Sequence, residues 1–248
     1  MNAIMIVELK KHLQDKGLAF WMLILPILFT VLFISVFTTG DNEVVNQEII
    51  QSIVPGYIVM FVFFIMISMV QVFIKDRNRG MTARLASTPL KSYYYLLGKW
   101  LPFTFIVIIQ IVVLFLFGKV VYDVSLGQPI ILLILSLFIT FTVTAIGLAM
   151  ALTVNTENMG IALTQIIALG GAMLSGLWMP LEMMPDFMQT IAHFLPQYWA
   201  HQSFQDAMAG TTQVPELLQT LVVLFAIGAA AFIIAIIRYP YFLKRAVK

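Results

Sequence analysis

The sequence predicts an all-α integral membrane protein: six transmembrane helices, an N-terminal amphipathic interfacial helix, and short re-entrant outer helices before the last span. Three observations carry that prediction. Hydrophobic residues make up 61% of the 248 positions and charged residues 10%, against roughly 45–50% and about 25% in soluble domains. The apolar residues gather into six uncharged runs of about 20, the length at which a helix crosses the hydrocarbon core while satisfying its own backbone. None of these runs alternates polar and apolar residues in the segments of about 10 that a barrel strand requires. Residues 1–248 are read as a single transmembrane domain.

Residues 1–17 place Met5, Leu9 and Leu13 at i, i+4 and i+8 with Ile6 alongside, opposite Lys10, Lys11, Gln14 and Asp15. This predicts a helix on the membrane surface with Gly17 as the turn into the first span; a frayed, solvated tail is the alternative for so short a segment. The first span, residues 18–38, is too long for a signal-peptide core and precedes no A-x-A-like site, so it is expected to stay. Pro26 is expected to kink it. The second and third spans, 56–74 and 100–118, flank a basic stretch at 75–99. The fourth, 130–154, carries Ser136, Thr140 and Thr144, and the fifth, 159–178, carries Gly160, Thr164, Ala168, Ala172 and Gly176, each four apart. Such stripes let backbones approach closely, which fits packing within the chain, a subunit interface or a translocation path. In the outer segment 179–215, Phe187, Ile191 and Phe194 recur at helical spacing between Pro185 and Pro196, too closely bounded to span. One or two short helices dipping into the outer leaflet are expected there, with Tyr198 and Trp199 at the head-group level. Re-entering backbone must be shielded by protein or line a wet cavity, so this segment is expected to cap a path. The sixth span, 217–237, precedes a basic tail.

Orientation follows from the cations, which are retained on the cytoplasmic side near span ends. Lys10, Lys11 and Lys16 precede the first span, six cations lie in 75–99, and Arg238, Lys244, Arg245 and Lys248 follow the sixth. Only Lys119 falls on the other face, so both termini are expected in the cytoplasm. The inner connection at 155–158 has no cation and is too short to inform.

Several chemistries lack their parts. Without cysteine there is no disulfide, thiolate or thiolate-metal chemistry. No G-x-S-x-G, H-E-x-x-H or G-x-x-x-x-G-K-[ST] pattern is present. His12, His193 and His201 have no carboxylate at ligand spacing; the last two, eight apart, read as interfacial polar residues or as half of a metal site lacking a third ligand. No metal site is assigned. The runs hold none of the ionisable relays that ion-coupled carriers keep in the bilayer. Their Gln71, Gln110, Gln165 and Gln219 are expected to make interhelical hydrogen bonds, with substrate contact as the alternative. If the protein does driven work, a separate polypeptide must supply the energy, and 75–99 is the inner segment large enough to receive one.

Two motif regions resemble a known family. Asp76-Arg77-Asn78-Arg79-Gly80-Met81, then Leu85 and Ser87-Thr88-Pro89-Leu90, is similar to the acid-Arg-x-x-Gly-Thr, Leu and Thr-Pro pattern of the ABC-2 type permeases, the membrane halves of ATP-binding-cassette exporters. Ser175-Gly176-Leu177-Trp178-Met179-Pro180, then Met184-Pro185 and Leu195-Pro196, resembles that family's Ser-Gly…Pro…Pro…Pro region before the last span. Met81 departs from the usual small hydroxyl residue and Ala83 stands where an acid is common, which bears on the details of docking. The resemblance implies a coupling helix in 75–99 seated in a groove of a separate ATPase, two such ATPases binding ATP and Mg, a second permease copy or paralogue, and a path lined by the second and fifth spans. It implies no cofactor in this chain and no nucleic-acid partner, and a bacterial plasma or inner membrane as its place.

The residues of the loop fit that role by their own chemistry. Gly80 permits a sharp reversal, Thr82 can cap a short helix, and Pro89 ends it. Arg77, Arg79 and Arg84 offer planar forks to a partner's carboxylates. The expected docking set is Arg77, Arg79, Gly80, Met81, Thr82, Ala83, Arg84, Leu85, Ala86, Ser87, Thr88 and Pro89. Lys75, Lys91 and Lys99 are expected only to fix topology and touch anionic lipid. Path-lining candidates are Phe61, Phe64, Ser68, Thr164, Gln165 and Ala168, an apolar set that suits an amphipathic or lipid-like cargo such as a drug, antibiotic, lipid or polymer. The alternatives are a non-transporting sensor or scaffold that docks a partner on the basic loop, and a channel, which the lack of pore-lining charge disfavours.

Overall fold

Six helices are long and apolar enough to cross a membrane: Lys16–Phe37, Ile49–Asn78, Tyr93–Tyr122, Pro129–Thr153, Glu157–Leu174 and Val214–Arg245. The computed structural model describes residues 2–38, 43–86, 92–178 and 181–247, and among these there is no strand. The six predicted spans are all present, and several run past the limits drawn by the absence of charge. The second carries Lys75, Asp76 and Arg77 on its last turns, and the helix of the third begins at Ser92, about two turns before its uncharged run. Both of those ends lie, with the N-terminal helix and the last turns of the sixth helix, at one end of the bundle, called here the terminus-bearing end.

The bundle is built around the second span, 72% of whose most apolar window is buried, against 22% for the first and 28% for the fifth and sixth. Apolar side chains such as Leu32, Ile166 and Leu218 point outward from those three. Lipid tails are as apolar as these side chains, so close packing rather than the hydrophobic effect must hold the spans together. Small residues provide that packing. A Cβ on Gly160 would fall 2.2 Å from Val70 Cγ1, and one on Gly228 would fall 2.7 Å from the Phe141 ring. Thr164, Ala168 and Ala172 have no exposed surface, so the stripe on the fifth span serves packing within the chain. Thr142 Oγ1 lies 2.8 Å from Leu224 O, joining the fourth span to the sixth.

Three spans depart from regular α-helix. The first contains a π-helical turn, Phe20–Ile24, in which Leu25 N–H bonds to Phe20 O immediately before Pro26. The widened turn absorbs a ring that would crowd the carbonyl one turn back, so the expected kink takes this form. The second span breaks between Val62 and Ile65, where Phe63 N–H and Phe64 N–H donate to Met60 O and Phe61 O at 3.3 and 3.1 Å. The fifth has a second π turn, Ile166–Gly170.

At the opposite end, Asp186–Ala192 and Pro196–Ala209 supply the short outer helices expected from the sequence. The longer one packs among the second, fourth and sixth spans and buries Gln197, Ala200, His201, Phe204, Ala207 and Met208. Phe187, Ile191 and Phe194 are exposed, while Tyr198 and Trp199 are half-buried. Residues 179–180 of this segment lie outside the described residues.

Candidate functional site

The N-terminal helix, Asn2–Gln14, lies against the third span and divides into three sectors. Ile6 and Leu13 are exposed, as a lipid-facing sector requires, and Lys10 and Lys11 lie on the adjoining polar side. The sector turned to the protein is polar: Glu8 and His12, i and i+4, are buried, which corrects the reading of His12 as lacking a carboxylate at ligand spacing. His12 sits 4.4 Å from the Phe103 ring, and its Nε2 is 3.9 Å from Glu8 Oε2. Burial, reinforced by the charges of Lys11 and Lys99, pushes the His12 imidazole down to about 4, so it is neutral near pH 7.

Beside it lies an ion pair. Lys99 Nζ is 2.5 Å from Asp76 Oδ2 and 4.5 Å from the Phe73 ring centroid, and Lys99 has no exposed surface. This corrects the lipid contact expected for Lys99. Both residues stand on the long helices just beyond the uncharged runs 56–74 and 100–118. The physical reason is local: a lysine one turn after Tyr95 reaches inward, where a carboxylate, the Val72 carbonyl and two aromatic faces receive it. Lys75 is 3.9 Å from Glu157, with about half of its side chain exposed.

The loop helix follows directly. Gly80 has φ +70°, a left-handed conformation that a side chain disfavours. Its carbonyl accepts Arg84 N–H at 3.0 Å as the chain enters the helix Met81–Ala86, which packs on the ends of the second and sixth spans. Thr82 is fully buried inside this helix, its hydroxyl 3.5 Å from Tyr95 Oη, which corrects its expected capping role. Met81 and Arg84 are exposed. Ala83, Leu85 and Ala86 belong to the same helix, whereas Ser87, Thr88, Pro89 and Lys91 lie outside the described residues. Arg77 is engaged within the chain rather than held out to a partner: its Nη2 donates to Asn155 O at 2.6 Å, and the guanidinium lies 5.7 Å from the Phe242 ring. Arg245 Nη1 donates to Asn155 Oδ1. The short connection that looked uninformative therefore ties the second span to the end of the sixth.

Enclosed by the N-terminal helix and the first, second and fifth spans is a cavity of about 490 Å³. Phe64, Ser68 and Gln165 of the path-lining candidates face it, as does Gln71. Phe61, Thr164 and Ala168 do not; Phe61 packs 5.6 Å from Phe29 and 5.5 Å from Phe64, and the other two are buried against the second span. Thus the glutamines depart from the expected interhelical bonding. Gln71 and Gln165 line the cavity, Gln219 is exposed, and Gln110 is buried with neither amide atom bonded among the described residues. His193 and His201 have separate surroundings: His193 Nδ1 is 2.7 Å from Gln189 O, and His201 is buried with Nε2 3.5 Å from Ser52 O. No group of three metal-ligating residues occurs among the described residues.

Asp76, Lys99, Glu8, His12 and Asn155 are the members of this region that sequence reasoning missed. The available signal was that Asp76 is the one acid among the six cations of 75–99. Comparison with known proteins places the whole arrangement. The family described as ABC-2 type transporter matches residues 1–209. A relative from Bacillus subtilis (strain 168), named provisionally as transport permease YvfS, is 33% identical over 205 residues, covering 78% of this chain and 79% of its own. The linearmycin resistance permease protein LnrN of the same strain is 29% identical over 177 residues, 71% of this chain and 46% of its own, so the match spans less than half of that relative.

Proposed function

Because the chain belongs to the ABC-2 type transporter family, we propose that it is the membrane-spanning subunit of an ATP-driven exporter, moving an amphipathic or lipid-like cargo out of the cytoplasm or inner leaflet. The names of both relatives support a transport permease. ATP and its magnesium would be held by two copies of a separate ATPase, and a second permease copy or paralogue would complete the path. The distribution of thirteen of the fourteen cations supports placing the terminus-bearing end in the cytoplasm of a bacterial cell, where such ATPases work.

The observation that carries the reading is the helix Met81–Ala86, set off by Gly80 and standing at the end of the bundle with Met81 and Arg84 outward. A helix seated on both the second and sixth spans can pass a push from a partner into the bundle as a rigid-body movement. Docking is assigned to the segment from Arg79 to Pro89, with Arg84 as its exposed fork. Purification with endogenous partners tests this directly. An ATP-binding-cassette protein should co-elute with the parent chain and be lost when residues 82–89 become a Gly/Ser linker; an intact complex after that change overturns the docking assignment. Substitutions at Phe61, Phe64, Ser68, Thr164, Gln165 and Ala168 should alter export or cargo-stimulated ATP hydrolysis, and unchanged values at all six remove them from the path.

A further inference from the structure

The cavity at the terminus-bearing end has an uneven distribution of charge and apolar surface. Its acids are already engaged. Asp15 accepts Gly17 N–H and Leu18 N–H at 2.9 and 3.1 Å as the cap of the first span, and Asp76 is bonded to Lys99. Its cations are held more loosely, by long and partly exposed ion pairs or by none. Lys11 and Lys75 reach Glu8 and Glu157 only at 3.7 and 3.9 Å, with 52% and 48% of their side chains exposed, and Arg79 is exposed with no partner among the described residues. Trp21, Met22, Phe64 and Ile67 form the apolar wall, and Trp21 is 55% exposed, so the cavity opens beside the outward face of the first span, where Ile24 and Leu28 continue the apolar surface. A volume of about 490 Å³ falls within the range of roughly 300–1,000 Å³ typical of small-molecule sites. It suits a head group and the first part of one chain, with the remainder running along the first span.

We propose that this cavity binds an anionic amphiphile, its head group received by Lys11, Lys75 and Arg79 and its hydrocarbon by Trp21, Met22, Phe64 and Ile67. Arg79, which opens the docking segment, thereby also serves the cavity, while Arg84 is the segment's exposed fork. An arginine fork and two lysines match a phosphate or carboxylate, while a trimethylammonium group would meet like charge there. The binding is a property of this chain alone; that the bound molecule is cargo rests on the transport reading above.

The test uses the purified full chain in phosphatidylcholine nanodiscs, with no ATPase, and dodecyl phosphate bearing a photoreactive group on the first carbons of its chain, next to the phosphate. Labelled peptides should contain residues 18–22 or 64–67. Unlabelled dodecyl phosphate should compete at least about tenfold better than dodecylphosphocholine, and inorganic phosphate should not displace the probe. Lys11→Gln, Lys75→Gln and Arg79→Gln together should weaken binding about tenfold or more, whereas Lys244→Gln, outside the cavity, should not. Adding phosphatidylglycerol to the nanodiscs distinguishes the source: displacement of the probe identifies a membrane phospholipid, and retention identifies a free amphiphile. Labelling confined to other segments, or equal competition by the zwitterion, overturns the proposal; both readouts use the parent chain and survive a variant that fails to fold. Failure of any ATP-binding-cassette protein to co-elute with the parent chain would sink the transport reading and leave this result untouched.

Discussion

Changing Asp76 to Asn removes the carboxylate bonded to Lys99 and leaves an ammonium with no exposed surface between aromatic rings. Breaking one side of a buried pair costs about 3–5 kcal/mol, while replacing both partners with apolar groups of similar volume is often close to neutral. Asp76→Asn is therefore expected to lower the unfolding temperature of the detergent-solubilised chain clearly, and Asp76→Asn with Lys99→Met to regain most of the loss. Equal melting of the single variant and the parent would show that the pair contributes nothing. His12 gives a pH dependence at the same place. Its folded-state value of about 4 lies below the ordinary 6.5, so the unfolded chain binds the proton first as pH falls. Stability contributed by neutral His12 is whole above about pH 6.5 and declines toward pH 4, by an amount on the order of 2 kcal/mol at pH 4.5. Unfolding followed from pH 7.5 to 4.5 should show a steeper decline in the parent than in His12→Leu, whose difference from the parent isolates this group from nearby Glu8, Asp15 and Asp76. Composition made the cations legible as a group but not the burial of one of them. That depends on the third helix starting well before its uncharged run, which no charge count records.

Within the fifth span the π turn leaves its carbonyls unevenly bonded: Gly171 N–H is shared between Ala168 O and Ile167 O. Gln197, from the long outer helix, completes the set by donating its Nε2–H to Ile167 O at 3.0 Å. Gly171 makes this possible, since a Cβ there would lie 2.1 Å from that nitrogen. Gln197→Leu and Gly171→Ala should each destabilise the chain by about 1–2 kcal/mol, and the double variant should cost clearly less than their sum, because both remove one interaction. Strict additivity in thermal unfolding would separate the two residues. Gly160→Val is expected to cost about 1–3 kcal/mol by forcing the fifth span off Val70. The small-residue stripe was legible because its four-residue spacing survives in any helix, yet its destination was not. The π turn carried no residue signature, and the Gln197 partner lies 30 residues away in a segment whose packing the sequence left open.

Six spans and a basic end shared by the two terminal helices were legible because length, hydropathy and charge act independently of which helix meets which. Neighbour relations were not, because a span that is apolar all round gives no stripe to distinguish its protein face from its lipid face. The terminus-bearing end shows what that concealed. Arg77 of the second span and Arg245 at the end of the sixth both bond Asn155, and the helix Met81–Ala86 rests on those same two spans. Under the proposed function, a displacement of that helix by a partner ATPase moves the second and sixth spans as one body only if their ends are tied. Asn155→Ala removes the side-chain acceptor of Arg245 while keeping the backbone acceptor of Arg77, so it loosens the sixth span selectively. The variant is expected to retain ATPase co-elution, since Met81 and Arg84 are untouched, and to lose several-fold in cargo-stimulated ATP hydrolysis. Asn155→Asp, which keeps an oxygen for Arg245, should restore most of that loss. Unchanged stimulation in Asn155→Ala would mean that the push reaches the two spans without this tie.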